Sequence, residues 1–261
     1  MKNFNFKTPA NTKEAVKLIS GRATFLAGGM TLLPAIKLRL ASYSDLINIK
    51  KIKSLSGIKV SKKSIKIGST TTHAVVASSK VVINSIPSLS ILADGIGDPQ
   101  VRNRGTIGGS IANNDPAADY PSACLALNAI IHTNKRKIAA DKFFKGMFET
   151  DLRKGELIET IEFEIPEKSS YSKFPNPASR YAIVGVYIAK FKKEVRVAIT
   201  GAKSCVFRSK KLEDALMNNF SSSSIDNINI SNDELNSDIH ASAEYRANII
   251  KVMAKKAISG C

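Results

Sequence analysis

The chain has 261 residues, of which 43% are hydrophobic and 23% are charged, and its formal net charge is +17. These values predict a globular protein of two unequal domains and exclude a disordered tail, a collagen-like rod and a coiled coil, while no apolar run reaches the roughly 18 residues of a membrane span. The lysines are spread along the chain and Trp is absent, so we favour a lysine-coated surface over a nucleic-acid-binding patch, which needs clustered cations and stacking aromatic residues.

The first 50 residues are predicted to form a βαβαβ unit. Apolar runs and helical spacing place its strands and helices, in chain order, at 4–6, 12–20, 23–27, 30–40 and 46–49. Asn11 precedes the first helix and Glu14 follows three residues later, which is the spacing of a capping box. Gly28 and Gly29 separate the second strand from the second helix.

The region from 58 to 165 is predicted to mix strands and helices. Alternation of apolar residues indicates a hairpin and three later strands, and helical spacing indicates three helices. The ranges are 58–60, 65–67, 72–80, 88–97, 119–127, 129–133, 136–140 and 157–165. A second glycine segment at 105–110 interrupts this order, and the polar loop 113–116 follows it.

The last hundred residues, roughly, are predicted to form an α+β domain. Residues 167–177 are rich in Ser, Lys and Pro, which indicates a domain boundary near 167. Strands are expected at 181–191, 194–201 and 204–208, a loop at 220–224, and helices at 210–218 and 241–258.

Two glycine-containing turns, residues 27–31 and 106–110, carry most of the chemistry that the sequence allows. Glycine lets a backbone approach a ligand closely, and successive amide groups can bind an anion such as a diphosphate. Thr31 and Ser110 add hydroxyl donors. One such turn alone is commonly no more than a tight turn, whereas two favour a nucleotide site. Neither matches GxGxxG or GxxxxGK[ST], which excludes the Rossmann and P-loop motifs.

Charged side chains lie close to the second turn in the sequence. Asp119 could accept hydrogen bonds from ribose or ribityl hydroxyls, or could cap the helix that it begins. Asp115 lies in the loop before it. Arg102 and Arg104 could hold an anion, remain solvated or contact a neighbouring subunit.

Cysteine and histidine patterns indicate no metal site. The cysteines are far apart and form no CxxC motif: Cys124, Cys205 and Cys261. The histidines show neither metal-ligand spacing nor a Ser–His–Asp arrangement: His73, His132 and His240. We therefore predict no metal ligand and no catalytic acid or base in this chain. The first seven residues lack the apolar segment of a signal peptide, so we predict a cytoplasmic protein.

The two turns also carry a resemblance to a known family. AGGMTLLP (27–34) and QVRNRGTIGGSIANNDPAADYP (100–121) resemble the FAD-binding subunit of molybdenum hydroxylases. This family includes the medium subunit of aerobic carbon monoxide dehydrogenase and the flavin domain of xanthine dehydrogenase. The resemblance continues through IGSTTTHA (67–74), ELIETIEF (156–163), YSKFPNPASRYAIVGV (171–186) and SAEYRANIIKVMAKKA (242–257). The last two segments are most similar to the carbon monoxide dehydrogenase branch.

This resemblance implies a fold and a role. The fold class would be α+β, with two α/β subdomains of the vanillyl-alcohol oxidase and p-cresol methylhydroxylase type, about 1–55 and 56–166, followed by a C-terminal α+β domain, 167–261. The chain would hold non-covalent FAD and pass electrons from two-iron two-sulfur clusters in a small subunit to an external acceptor. A large subunit would carry a molybdenum pterin cofactor and hydroxylate the substrate, and the complex would be a dimer of heterotrimers.

The resemblance also implies the residues that bind FAD. The matching positions are Ala27, Gly28, Gly29, Met30, Thr31, Thr106, Ile107, Gly108, Gly109, Ser110, Asp119, Ile158 and Lys173. Many relatives have Asn at the position of Ser110, and Ser can still donate and accept there. Ile158 and Lys173 match positions that approach the flavin, where a lysine would stabilise an anionic reduced ring; the alternative for Lys173 is a surface lysine.

A second function stays open from the sequence, namely a stand-alone FAD-dependent oxidoreductase of the same fold. The C-terminal portion is short for a dedicated substrate domain, which favours the electron-transfer role. The substrate of the complex, whether carbon monoxide, an aldehyde or a heterocycle, and the electron acceptor are not encoded in this chain.

Overall fold

A computed structural model describes residues 2–261, and its N-terminal part is a parallel sheet with two helices. The elements are β1 (Asn5–Lys7), α1 (Thr12–Lys17), β2 (Ala23–Leu26), α2 (Leu32–Lys37) and β3 (Asp45–Asn48). Strand β3 is central and pairs in parallel with both β1 and β2. The predicted βαβαβ unit is confirmed, but α2 is shorter than the predicted range.

The start of α1 explains why the chain turns into a helix there. Asn11 Oδ1 accepts a hydrogen bond from the amide of Glu14 at 2.9 Å, which satisfies one of the free amide groups of the first turn. The carboxylate of Glu14 accepts from the amide of Ala10 at 2.7 Å. The predicted capping box is therefore shifted by one residue, because its return bond goes to Ala10 instead of Asn11.

The middle part is a five-stranded antiparallel sheet covered by short helices. A 3-10 helix (Lys53–Leu55) leads into β4 (Ile58–Val60), β5 (Ser64–Gly68), α3 (His73–Ser78), α4 (Lys80–Ser85), α5 (Pro87–Asp94), α6 (Pro99–Arg104), α7 (Ile107–Asn113), α8 (Tyr120–Ala126), β6 (Ile130–Thr133), β7 (Lys137–Ala139), α9 (Ala140–Phe143), β8 (Phe144–Gly146), β9 (Glu149–Thr150) and β10 (Ile158–Glu164). The strand order is β4-β5-β10-β6-β7, and β8 and β9 form a separate hairpin.

The predicted hairpin and three strands of this part are confirmed. The second glycine segment differs from the prediction, because Gly108 and Gly109 lie inside the first turn of α7 instead of forming a break. Thr106 begins this helix by accepting a hydrogen bond from the amide of Gly109 on its side chain at 3.1 Å.

The C-terminal part is a four-stranded antiparallel sheet with two helices on one face. It consists of β11 (Lys168–Pro175), β12 (Ala182–Lys190), β13 (Val195–Thr200), β14 (Phe207–Arg208), α10 (Lys210–Asn218), a 3-10 helix (Ser222–Ile225) and α11 (Ala243–Ser259). The helix predicted at 210–218 is confirmed. Strand β11 occupies the Ser- and Lys-rich tract that follows the predicted domain boundary near 167, because its half-buried positions tolerate polar side chains.

The C-terminal sheet is buried on both faces, because one face packs against the middle part and the other packs against the C-terminal helices. Alternate residues of β12 point to opposite sides: Tyr187 and Ala189 pack into the core of the middle part, whereas Val186 and Ile188 pack against α10 and α11. From β13, the buried Arg196 donates to the carbonyl oxygen of Leu125 at 2.8 Å. These contacts fix the C-terminal sheet against α8.

Candidate functional site

A cavity of about 540 Å³ lies between the parallel sheet, α7 and the loop before β12. Most residues predicted to bind the cofactor line it: Ala27, Gly28, Gly29, Met30, Thr31, Thr106, Gly108, Gly109, Ser110, Asp119 and Ile158. The two predicted turns, far apart in sequence, therefore face the same space.

The first turn packs directly against the chain that leads into the second. A Cβ atom built on Gly28 would lie 2.3 Å from the carbonyl oxygen of Arg104 and 2.8 Å from the Cα of Gly105. Gly29 has a φ of +76°, which side chains rarely permit. A Cβ on Gly109 would lie 4.0 Å from the Cβ of Ala27. The glycines of the first turn are thus needed for close backbone contact and for the turn itself.

The two turns differ in the donors that they offer. The amide groups of Gly28, Gly29, Met30 and Thr31 donate to no atom of residues 2–261. Four consecutive free amide groups beside a cavity can bind an anion.

In the second turn, the amide groups of residues 107–110 already have partners. Those of Ile107 and Gly108 donate to the carbonyl oxygens of Thr71 and Ser69 at 3.1 and 2.8 Å. The amides of Gly109 and Ser110 donate to Thr106. Residues 107–110 therefore do not offer the free amides that the predicted anion site requires. The segment before α3 accepts from two of them, and Thr106 accepts from the other two. What the second turn offers is the Ser110 hydroxyl and the space beside Gly109.

The glycines of the second turn have separate roles. A Cβ on Gly108 would lie 2.5 Å from the Cβ of Ser69 and 2.6 Å from its carbonyl oxygen, so Gly108 allows the chain to pack on itself. A Cβ on Gly109 would meet only the Thr106 hydroxyl, at 2.9 Å, and the Cβ of Ala27. Gly109 is the glycine of this turn whose missing side chain leaves room for a ligand.

Asp119 lies in the wall of the cavity and is 4% exposed. Its Oδ1 accepts a hydrogen bond from the hydroxyl of Tyr171 at 2.5 Å and lies 2.9 Å from Nζ of Lys173. Burial raises the pKa of Asp119, and the positive charge of Lys173 and the hydrogen bond from Tyr171 oppose this rise. Asp119 makes no side-chain cap at the start of α8, so its position is set by β11.

The loop before Asp119 is held by the C-terminal sheet. The hydroxyl of Thr200 donates to the carbonyl oxygens of Pro116 and Ala118 at 3.0 and 2.7 Å. The amides of Gly201 and Ala182 donate to the carbonyl oxygens of Pro116 and Ala117 at 2.8 and 3.2 Å. The C-terminal part therefore positions one wall of the cavity.

Two predicted residues do not line the cavity. Ile107 is fully buried in the core of the middle part. Lys173 lies behind Asp119, where its ammonium group also donates to the carbonyl oxygens of Gly95 and Arg180 at 2.8 and 3.0 Å. The structure therefore places Lys173 against the wall, and its predicted approach to a flavin stays a prediction.

Residues that were not predicted as site residues complete the cavity wall. Ile96 and Gly97 form one part, and Ser179, Arg180 and Tyr181 form another. The latter three belong to a segment already quoted for the family resemblance, but no spacing rule links them to the glycine turns. Arg102, weighed as an anion contact, instead donates to the carbonyl oxygens of residues 96 and 97, both at 3.1 Å.

Glu156 also lines the cavity, and its carboxylate is fully engaged with the protein. Arg136 donates to both its oxygens at 3.0 and 3.1 Å, Thr133 donates at 2.8 Å and the amide of Arg153 at 2.9 Å. Burial favours the neutral acid, but these hydrogen bonds lower the pKa of Glu156 to about 2. Glu156 is therefore ionised and fixed at neutral pH.

His73 lines the same cavity and is 5% exposed. Its Nδ1 has no hydrogen-bond partner among the described residues, and its ring lies 5.4 Å from that of Tyr120. Burial, with a smaller effect of the positive charge of Arg102, lowers the pKa of His73 from 6.5 to about 4. His73 is thus a neutral ring at physiological pH.

We expect His73 to make the fold sensitive to acid. Because its folded pKa of about 4 is below its unfolded value of 6.5, the unfolded chain binds the extra proton first, and stability falls as the pH falls from 6.5 to 4. The loss amounts to at most about 3 kcal/mol. Urea unfolding of His73→Gln at several pH values should show a flatter acid limb than the unchanged protein. The same substitution at the exposed His240 should leave the decrease of the unfolding free energy at acid pH as steep as before. The same pH dependence in all three proteins would show that His73 does not cause the acid sensitivity.

Across residues 2–261, no group of three or more His, Cys, Asp and Glu side chains is arranged to hold a metal ion. In the same range, the structure contains no helix with the length and apolar character that crossing a bilayer requires.

Comparison with known proteins identifies the family. Residues 2–168 match the FAD binding domain in molybdopterin dehydrogenase. The chain is 34% identical over 276 residues to the glyceraldehyde dehydrogenase medium chain of Sulfolobus acidocaldarius, and the alignment covers 97% of this chain and 96% of that relative. It is 33% identical over 222 residues to the carbon monoxide dehydrogenase medium chain of Hydrogenophaga pseudoflava, covering 78% and 77%.

A solved structure agrees with these relatives. The carbon monoxide dehydrogenase from Hydrogenophaga pseudoflava that lacks the Mo-pyranopterin moiety contains a chain that matches this one with a TM-score of 0.89 and 32% identity, covering 99% of this chain and 96% of that chain. The family resemblance predicted from the sequence is confirmed. The chain therefore belongs to the family of FAD-binding domains of the molybdopterin dehydrogenases and is the flavoprotein component of an oxidoreductase.

Proposed function

We propose that this chain is the electron-transfer subunit of a molybdenum hydroxylase complex of the carbon monoxide dehydrogenase type. It accepts electrons from two-iron two-sulfur clusters in a small partner subunit and delivers them to an external acceptor, and a large molybdenum subunit hydroxylates the substrate. The observation that carries this proposal is the convergence of both glycine turns on one cavity.

The residues around the cavity fit FAD. The free amide groups of residues 28–31 suit a diphosphate, and the Ser110 hydroxyl and the space beside Gly109 lie across from them. The carboxylate of Asp119 is an acceptor for a sugar or ribityl hydroxyl. When bound, FAD supplies one- and two-electron redox chemistry, so the protein has only to hold and orient it.

The proposed partners follow from the nature of the relatives. Both curated relatives described above are named medium chains, a name that implies larger and smaller chains in the same complexes. We therefore propose a heterotrimer that associates into a dimer of heterotrimers. The large subunit, which hydroxylates the substrate, determines which substrate the complex uses.

Purification with FAD supplied tests the cofactor, and turnover assays separate the two candidate roles. We expect a yellow protein with one FAD per chain and no turnover of organic substrates by the isolated chain. Reconstitution with the two partner subunits should produce turnover. Absence of FAD binding would overturn the proposal, and turnover by the isolated chain would favour a stand-alone oxidoreductase.

Replacing Gly109 with valine is expected to weaken FAD binding by about tenfold to a hundredfold, because the side chain occupies the space beside the second turn and overpacking costs about 1–3 kcal/mol. The added Cβ also displaces the Thr106 hydroxyl, 2.9 Å away, and loss of this helix cap costs about 1 kcal/mol of stability. Fluorescence titration with FAD measures the first effect, and urea unfolding measures the second.

Thr106→Ala is the matched control for this variant. It removes the same cap hydrogen bond but leaves the space beside Gly109 open. It should lose the same stability and, although Thr106 also lines the cavity, lose FAD affinity by a smaller factor than Gly109→Val. Equal FAD affinity in Gly109→Val and Thr106→Ala would contradict the placement of the ligand.

A further inference from the structure

Three segments from different parts of the chain meet at the ammonium group of Lys173. Its Nζ lies 2.9 Å from Oδ1 of Asp119, 2.8 Å from the carbonyl oxygen of Gly95 and 3.0 Å from that of Arg180. The side chain of Lys173 is 10% exposed and that of Asp119 is 4% exposed. The three donor positions of the ammonium group are all used, so the ammonium group is fully engaged with the protein.

These contacts join separate walls of the cavity. Gly95 precedes the cavity-lining residues 96 and 97, Arg180 belongs to the lining segment 179–181, and Asp119 lines the cavity itself. Arg180 has a φ of +61° and donates through its side chain to the carbonyl oxygen of Gly97 at 3.1 Å. The segments 95–97 and 179–181 are therefore tied together, with Lys173 behind them.

We propose that Lys173 is a positioning residue for the cofactor site. It holds the Asp119 carboxylate and the two wall segments 95–97 and 179–181 in fixed positions relative to one another. Lys173 itself does not line the cavity. Asp119 presents its carboxylate as the acceptor for a cofactor hydroxyl, and this inference rests on the proposed function of the cavity.

The charge of Lys173 is as important as its hydrogen bonds. The titratable side chains that face the Asp119 carboxylate come from β11, α8 and the adjoining loops: Lys173, Tyr171, Tyr120, Tyr181 and, across Tyr181, Asp115. Lys173 is the one cation in this set. Without it, burial acts on Asp119 opposed only by uncharged hydrogen-bond donors, among them the Tyr171 hydroxyl. The carboxyl group then takes up a proton at higher pH.

The test is the FAD dissociation constant measured from pH 5 to pH 9 for the unchanged protein and for Lys173→Met. We expect the variant to lose affinity at acid and neutral pH and to recover part of it at alkaline pH. The midpoint of this dependence should lie about 1–3 pH units above that of the unchanged protein, the range by which a nearby opposite charge shifts a carboxyl group. Lys173→Arg keeps the charge and should restore the original midpoint.

Two controls separate charge from packing. Tyr171→Phe removes the other hydrogen bond to the same oxygen but no charge, and should shift the midpoint less than Lys173→Met. Lys168→Met removes an exposed lysine from the same strand and should change nothing.

The outcomes also separate this inference from the proposed function. If the unchanged protein fails to bind FAD, the proposed function fails. If it binds FAD and Lys173→Met is weaker by the same factor at every pH, Lys173 acts through packing alone and the inference is overturned. Unaltered affinity at every pH would overturn it as well.

Discussion

Replacing Gly28 with alanine is expected to destabilise the apoprotein by about 3 kcal/mol or more and to abolish FAD binding. The new Cβ would lie 2.3 Å from the carbonyl oxygen of Arg104 and 2.8 Å from the Cα of Gly105. Both are backbone atoms, which cannot move aside as a flexible side chain can, so the cost reaches the upper end of overpacking effects. Urea unfolding of the apoprotein measures the loss of stability, and fluorescence titration measures FAD binding.

Gly146→Ala is the matched control, because the same added methyl group meets nothing closer than the side-chain carboxylate of Glu149 at 3.4 Å. It should change stability little and bind FAD normally. If Gly28→Ala unfolds at the same urea concentration as this control, the first turn does not pack as tightly against residues 104 and 105 as the structure indicates.

The contrast between Gly28 and Gly109 explains how far the sequence predicted this site. Glycine pairs after apolar strands indicated two turns, and both lie at one cavity. The sequence did not separate the glycines that the protein needs for its own packing from Gly109, whose space is open to a ligand. That distinction depends on Arg104 and Ser69, which are distant in sequence from the glycines that they contact.

The same reason accounts for the amide groups of the second turn. The partners of the Ile107 and Gly108 amides, Thr71 and Ser69, lie in the segment before α3, and only the folded chain brings that segment beside α7. Local spacing predicts that a turn exists but not which of its donors are already used. The sequence therefore does not predict that the amide groups of the first turn are free and those of residues 107–110 are occupied.

Elements with strong local signals were predicted more reliably than those that depend on partners. The helix at 210–218 carries its own apolar spacing and was found at the predicted bounds. Strand β11 contains Ser169, Ser170 and Ser172, which favour loops by composition. It forms because β12 pairs with it along its whole length, and its face that carries Tyr171 and Lys173 then reaches Asp119.

The C-terminal part positions the cavity through one buried side chain. Arg246 of α11 is 2% exposed and donates to the carbonyl oxygens of Ile183 and Gly201 at 2.6 and 3.0 Å. Its guanidinium also donates to Asp238 at 2.7 Å. Of the two residues that it holds, Gly201 donates to Pro116 in the loop 116–118 that leads to Asp119, and Ile183 follows Ala182, which donates to Ala117.

Arg246→Met is therefore expected to cost about 3–5 kcal/mol of stability. Methionine can fill part of the volume, but it leaves two buried carbonyl oxygens without a donor, at about 1–3 kcal/mol each, and removes the charge partner of Asp238. Urea unfolding measures this loss. In the fraction that stays folded, FAD affinity should fall by about tenfold, because the loop before Asp119 loses its support and each 1.4 kcal/mol corresponds to tenfold in binding.

Asp238→Asn is the informative comparison for this variant. It removes only the charge at the end of the network where Asp238 is 44% exposed. The amide oxygen of Asn can still accept from the guanidinium of Arg246, so we expect a loss of about 0–1 kcal/mol. Asp238→Asn should therefore leave FAD affinity unchanged. A loss of stability in Asp238→Asn as large as that in Arg246→Met would mean that the ion pair, and not the contacts with Ile183 and Gly201, holds α11 to the sheet. In that case α11 would stabilise the C-terminal part without positioning Asp119, and FAD affinity should be the same in both variants.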